Sequence, residues 1–148
     1  MPKSMRFYFP DINVWVALAY LGHQHHAIAT AWFSQLSDST IVFCRLTQLG
    51  FLRLITNPVV MQTEAKTQSE AWKVYDALTS DPRIAFFPES DPELTEENLR
   101  ALTMSGQFAP QQWPDAYLAS LAKAEGLTLV TFDRALSKSA GKAALLLK

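Results

Sequence analysis

A chain of 148 residues, 49% hydrophobic and 18% charged, can enclose one substantial core and is short for two ordinary domains. Its formal net charge of −1 excludes a global basic field, so nucleic acid would have to be held by a local patch. A lone cysteine, Cys44, excludes a disulfide framework and suits a reducing cytosol. The early apolar stretch is broken by Pro10, Asp11 and Asn13, which fits neither a signal peptide nor a membrane span. No repeat, low-complexity tract or linker divides the chain, and it reads as one domain over 1–148.

Arg6–Phe9 predicts a short aromatic strand whose pairing Pro10 would end. Asp11 follows, and Val14–Leu21 predicts an apolar helix closed by Gly22. His23, His25 and His26 precede an amphipathic helix through Ala27, Ile28, Ala31, Trp32 and Leu36. Thr40–Cys44 is a second strand, and Leu46–Thr56 a helix stopped by Asn57-Pro58. Arg45 and Gln48, three apart, share a face near its start. Val59–Met61 is an apolar loop tip. Ser69–Thr79 is a helix whose Trp72, Tyr75 and Leu78 are expected in the core. Arg83–Phe87 is a third strand, closed by Pro88, and Pro92–Ser105 is a helix with an acidic start. The loop 106–113 leads to a helix over Asp115–Glu125, ended by Gly126. Leu127–Phe132 is a buried strand, and Ala144–Leu147 a last short one.

The helix and strand on either side of Gly126 carry the chemistry. Eleven helical residues rise about 16 Å, and six strand residues return roughly 20 Å. Asp115 and Asp133 therefore finish at the same end of the unit. Asp115 also shares a face with Leu118, Ala119 and Ala122, at the spacing of a buried stripe. Asp11, at the carboxyl end of the first strand, repeats the logic of Asp133, and open α/β folds gather their sites at that edge. Each acid has a plain alternative as a helix cap or a turn residue. Three acids placed independently at one rim favour a cation site over that alternative.

Other clusters say less. Tetrahedral zinc needs three or four well-spaced ligands, and Cys44 is far in sequence from the three histidines. Arg134, Lys138 and Lys142 could hold phosphates or form a solvated face.

A family resemblance rests on ordered motifs along nearly the whole chain. They are Asp11-Ile-Asn13; His26, Ala29 and Trp32-Phe33; Thr47-Gln48-Leu49-Gly50-Phe51-Leu52-Arg53; Trp113-Pro114-Asp115-Ala116-Tyr117-Leu118; and Thr131-Phe132-Asp133. Together these resemble PIN-domain ribonucleases, and among them the VapC-type toxins of bacterial toxin–antitoxin pairs. The resemblance implies an α/β fold with a central, mainly parallel sheet of about five short strands flanked by helices. It implies a homodimer in the cytoplasm, cleavage of structured RNA such as tRNA or rRNA with Mg²⁺ or Mn²⁺, and an antitoxin protein that blocks the site. Asp11, Asp115 and Asp133 match three of the family's acidic positions, and Asn13 and Thr131 its accompanying small polar residues. The family's remaining acid, commonly a Glu, is Gln48 here, which removes one negative charge. Asp11 and Asp133 are then expected as direct metal ligands, with Asp115 a ligand or an orienter of the attacking water. Gln48 would stand behind them, and Arg45, Arg53 and Arg134 are candidate phosphate contacts.

Of two rivals, the first is open and the second is rejected on its missing motifs. A catalytically weakened PIN module would bind RNA or a partner without cutting, with Gln48 as its mark. A haloacid-dehalogenase-type phosphohydrolase would use Asp11 as nucleophile. It would need an acid where Asn13 stands, and a paired-Asp motif that the separated Asp115 and Asp133 do not make.

Overall fold

The computed structural model describes residues 6–148; residues 1–5 lie outside the described residues. Five strands, β1 (Arg6–Pro10), β2 (Ser39–Phe43), β3 (Ile84–Phe86), β4 (Thr128–Thr131) and β5 (Ala144–Leu146), form one sheet in the order β3-β2-β1-β4-β5. Every pairing is parallel, as the short apolar runs predict. Pro10 does not end the first strand. It pairs in register with Val130, and the next amide, Asp11 N, donates to Val130 O at 2.9 Å. Pairing of β1 with β2 reaches only to Tyr8, so no ladder bond is asked of the Pro10 nitrogen.

Side chains alternate across the sheet. Tyr8, Ile41, Phe43, Ile84 and Val130 face α1 (Ile12–Ala19), α2 (His26–Ser34), α3 (Arg45–Ile55) and α5 (Gln68–Thr79). The centre of that layer is Trp15 stacked on Phe43, with ring centroids 3.7 Å apart. Phe9, Val42 and Leu129 face the other way, onto Leu118, Leu121 and Ala122 of α7 (Trp113–Glu125) and Leu136 of α8 (Arg134–Ala140). α6 (Pro92–Leu102) packs outside α7. No helix among the described residues is long and apolar enough to cross a membrane.

Several boundaries move for local reasons. The first helix begins at Ile12, because the Asp11 carboxylate caps it, and it ends at Ala19. Val59–Met61 belongs to a helical turn, α4 (Pro58–Met61), whose Val59 amide donates to the Asn57 side chain. α6 stops at Leu102, before Ser105. Trp72, expected in the core beside Tyr75, is 48% exposed at the edge of α5. α8 is a helix where the sequence showed only scattered cations before the last strand. The histidines fasten a connection: His26 Nδ1 lies 2.7 Å from Ala17 O, His23 Nδ1 accepts from the His25 amide, and His25 stacks on Phe132.

Candidate active site

Strand order reverses between β1 and β4, with β2 and β3 to one side and β5 to the other. The carboxyl edge of such a switch point is where diverging connections leave a crevice. Asp11 leaves β1 there, and Asp133 follows the end of β4. α7 starts at the same rim because Gly126, left-handed at φ +69°, turns its far end back into β4. Asp115 thus joins the two strand-end acids, and all three line one cavity of about 290 Å³. Asn13 and Arg53 line it too, with Ile12, Gly50 and Leu54 forming its wall.

The three carboxylates differ in environment. Asp11 is buried, and its Oδ1 accepts from the Val14 amide at 3.0 Å while Thr131 Oγ1 donates to Oδ2. Burial pushes its pKa up to about 6; the two hydrogen bonds work against that rise, and the charges of Asp115 and Asp133 add to it. Asp133 Oδ1 accepts from the amides of Ala135 and Leu136 at 2.8 and 3.1 Å, capping α8. Asp115 lies in the first turn of α7 but does not cap it. Its pKa is raised by burial and then by Asp133. The capping alternative therefore describes Asp11 and Asp133 correctly without removing them from the cavity.

The charge balance is negative. Arg53 is exposed and makes no ion pair among the described residues. No three His, Cys, Asp or Glu side chains among the described residues close into a ready cage for one ion. The chemistry of the donors nevertheless suits a hard divalent cation. They are carboxylate oxygens, two of whose pKa values are raised first by burial and then by the neighbouring acids, and Mg²⁺ takes one or two carboxylates and completes its shell with water and phosphate.

The other candidate residues sit around this cavity. Thr131 is fully buried behind Asp11, and its Oγ1 also accepts from the Asp133 amide at 2.9 Å. Gln48 is buried and does not line the cavity; its Oε1 accepts from Arg45 Nη1. The Arg45 guanidinium lies 4.6 Å above the Phe86 ring, toward the β3 side of the same rim. Arg134 is exposed at the start of α8, outside the cavity lining. Gly50 had signalled no chemistry, yet a Cβ there would stand 2.1 Å from Ile12 Cδ1. Its lack of a side chain lets α1 and α3 approach at the cavity wall.

The PIN domain family matches residues 8–142. A Mycobacterium tuberculosis protein named ribonuclease VapC41 is 38% identical over 135 residues, covering 88% of this chain and 92% of the relative. Two solved structures share the fold at low identity. VapBC2 from Rickettsia felis, bound to a DNA fragment from its promoter, superposes with a TM-score of 0.67 at 16% identity, covering 96% of this chain and 99% of that one. Mycobacterium tuberculosis VapC20, a sarcin–ricin loop cleaving toxin, gives 0.64 at 13% identity, covering 89% and 94%. A parallel five-stranded sheet, three acids converging on its switch point and a family match over nearly its whole length place this chain in the PIN-domain family, beside relatives named as VapC ribonucleases.

Proposed function

We propose that the chain is an endoribonuclease, the toxin of a toxin–antitoxin pair, that hydrolyses phosphodiester bonds in structured RNA (tRNA or rRNA) with Mg²⁺ or Mn²⁺. The observation that carries the reading is the shared cavity of Asp11, Asp115 and Asp133, with Arg53 on its wall. A divalent ion bound there would lower the pKa of a coordinated water and neutralise charge on the phosphate oxygens. Asp11 and Asp133 are the ligands, each held by hydrogen bonds that fix the carboxylate. Asp115, free of capping duty, accepts the proton of the attacking water or completes the ion's shell. Arg53 and Arg45 contact flanking phosphates, and Gln48 acts through Arg45, whose guanidinium it holds. Arg134 and Asn13 extend the contacts along the rim. Thr131 positions Asp11 and Asp133 together.

The same reading gives the protein a cytoplasmic setting, a homodimeric form and a cognate antitoxin that covers the rim. Support for the partner comes from the fold shared with the solved VapBC2 structure. The decisive experiment is a divalent-ion titration of RNA cleavage by purified wild type and Asp11→Ala. Cleavage that depends on the ion and vanishes in the variant supports the enzyme. A wild type that binds RNA without cutting would support the binding-module alternative, which Gln48 favours by removing one acid. Equal cleavage by both proteins would overturn the site.

A further inference from the structure

From the end of α6 to the first residue of α7, residues 101–113 carry not one charged side chain. This segment is not polar, however. Phe108 is 98% exposed, Met104 78% and Trp113 55%. Neither aromatic ring packs on another ring among the described residues. Ala109 holds φ +28° in the middle of the segment, a left-handed conformation that a residue with a Cβ rarely adopts. The loop therefore has a defined turn that presents Phe108.

Phe108, Trp113, Gln107 and Gln112 line one open cavity of about 250 Å³. A second cavity shares Gln112, Thr103 and Leu102 with it and reaches Asp115. The aromatic surface is thus continuous with the acidic rim, and Trp113 lies in the same helical turn as Asp115. Exposed aromatic faces beside amide side chains suit unpaired nucleobases, whose faces stack and whose edges take both donors and acceptors. No carboxylate in the segment repels the attached phosphates.

We infer that Phe108 and Trp113 form a stacking platform for unpaired RNA bases at the Asp115 end of the active-site rim. This inference rests on RNA being the substrate. It assigns to the loop the recognition of a single-stranded element next to the scissile phosphate, and to Gln107 and Gln112 contacts with base edges. Paired bases would be excluded, because a duplex buries the faces that the rings would cover.

The test measures binding in EDTA by fluorescence anisotropy, using a short single-stranded oligoribonucleotide and the blunt duplex of the same sequence. Phe108→Ala and Trp113→Ala are each expected to weaken single-strand binding roughly tenfold, with duplex binding unchanged. Phe108→Tyr should restore it, and Leu21→Ala, at a site 86% exposed just past the far end of α1, should have no effect. Thermal melts verify that the variants fold. With Mg²⁺ added, the alanine variants should raise KM for structured RNA far more than they lower kcat. If wild type does not cleave RNA but the single-strand loss is seen, the platform stands and the nuclease reading falls. Should wild type cleave while Phe108→Ala and Trp113→Ala bind single strands normally, the platform is overturned and the nuclease stands. Loss of binding to a co-expressed protein partner with RNA binding intact would also overturn it, making the loop a protein-docking face.

Discussion

Thr131 and Asp11 lie 120 positions apart in sequence and share one buried hydrogen bond, from the Thr131 hydroxyl to Asp11 Oδ2. The same hydroxyl accepts from the Asp133 amide, so a single oxygen couples the acids that end β1 and β4. Thr131→Val keeps the shape and removes both bonds. Asp11 then loses an interaction that favours its charged form, and its pKa rises beyond about 6. The expected result is a pH–activity profile shifted to the alkaline side and a stability loss of about 1–3 kcal/mol. Thr131→Ser should reverse most of both effects. An unshifted profile in Thr131→Val would remove the positioning role.

Gly50 and Ile12 give a second coupled pair. A methyl group at Gly50 would meet Ile12 Cδ1 and Cγ1 at 2.1 and 2.7 Å, so α1 and α3 must separate or Ile12 must leave its place. Gly50→Ala should cost roughly 1–3 kcal/mol, as overpacking does. It should also lower cleavage, since both residues line the acidic cavity. Adding Ile12→Ala should recover part of the stability. Denaturant unfolding of the four proteins in the cycle reads the coupling directly, and simple additivity would contradict the contact.

Arg83 ties distant elements together. Its guanidinium pairs with Asp81 at 2.8 Å, donates to the carbonyls of Phe33 and Leu36, and lies 3.9 Å over the Phe33 ring. Phe33 lies in the last turn of α2 and Leu36 two residues past its end, so the guanidinium fastens the carboxyl end of that helix. Arg83→Ala should destabilise by about 2 kcal/mol, with cleavage per folded molecule unchanged because Arg83 is remote from the acidic rim. Arg83→Lys should fall in between, having no planar fork to reach both carbonyls.

What the sequence made legible follows from period and punctuation. Short apolar runs flanked by helices announced a parallel sheet, and an Asp after each of two strands marked its carboxyl edge. α8 escaped because Arg134–Ala140 is short and offers only Leu136 and Ala140 to the core. Its start lies at Asp133, a plain turn residue by sequence whose carboxylate caps the helix in the structure. Trp72 showed the spacing of a core residue, yet α5 lies at the edge of its layer and leaves one side of the stripe uncovered. The Thr131–Asp11 bond and the Gly50–Ile12 contact were invisible, because each joins segments that only tertiary packing brings together.

Gln48 tests how far one missing acid matters. Its amide oxygen already receives Arg45 Nη1. A carboxylate at this buried position would find that cation first. Gln48→Glu should therefore form a charge-assisted pair with Arg45 and change Mg²⁺ affinity only slightly, roughly less than threefold, since most of the added charge is neutralised locally. Calorimetric titration of Mg²⁺ into both proteins decides the point. A large gain in affinity, or a second binding event, would mean that Arg45 releases the new carboxylate to the rim.

Asp11 supplies the clearest dependence on pH. Its folded pKa of about 6 stands above the ordinary 3.8, so the folded state keeps a proton that the unfolded chain gives up. Between those two values the native state binds more protons, and stability must fall as pH rises. The loss is complete above about 6 and amounts to roughly 3 kcal/mol at 1.36 kcal/mol per pKa unit. Asp11→Asn keeps an oxygen for the Val14 amide and removes the buried charge. It should melt higher than wild type at pH 8, with the gap closing as pH drops toward 4. Millimolar Mg²⁺ should narrow the gap at pH 8 by stabilising only the wild type, in proportion to the logarithm of ion concentration over Kd. A wild type as stable as Asp11→Asn at pH 8 in EDTA would show that Asp11 is not strained by its burial. A gap that Mg²⁺ leaves unchanged would show that the ion does not bind at this carboxylate.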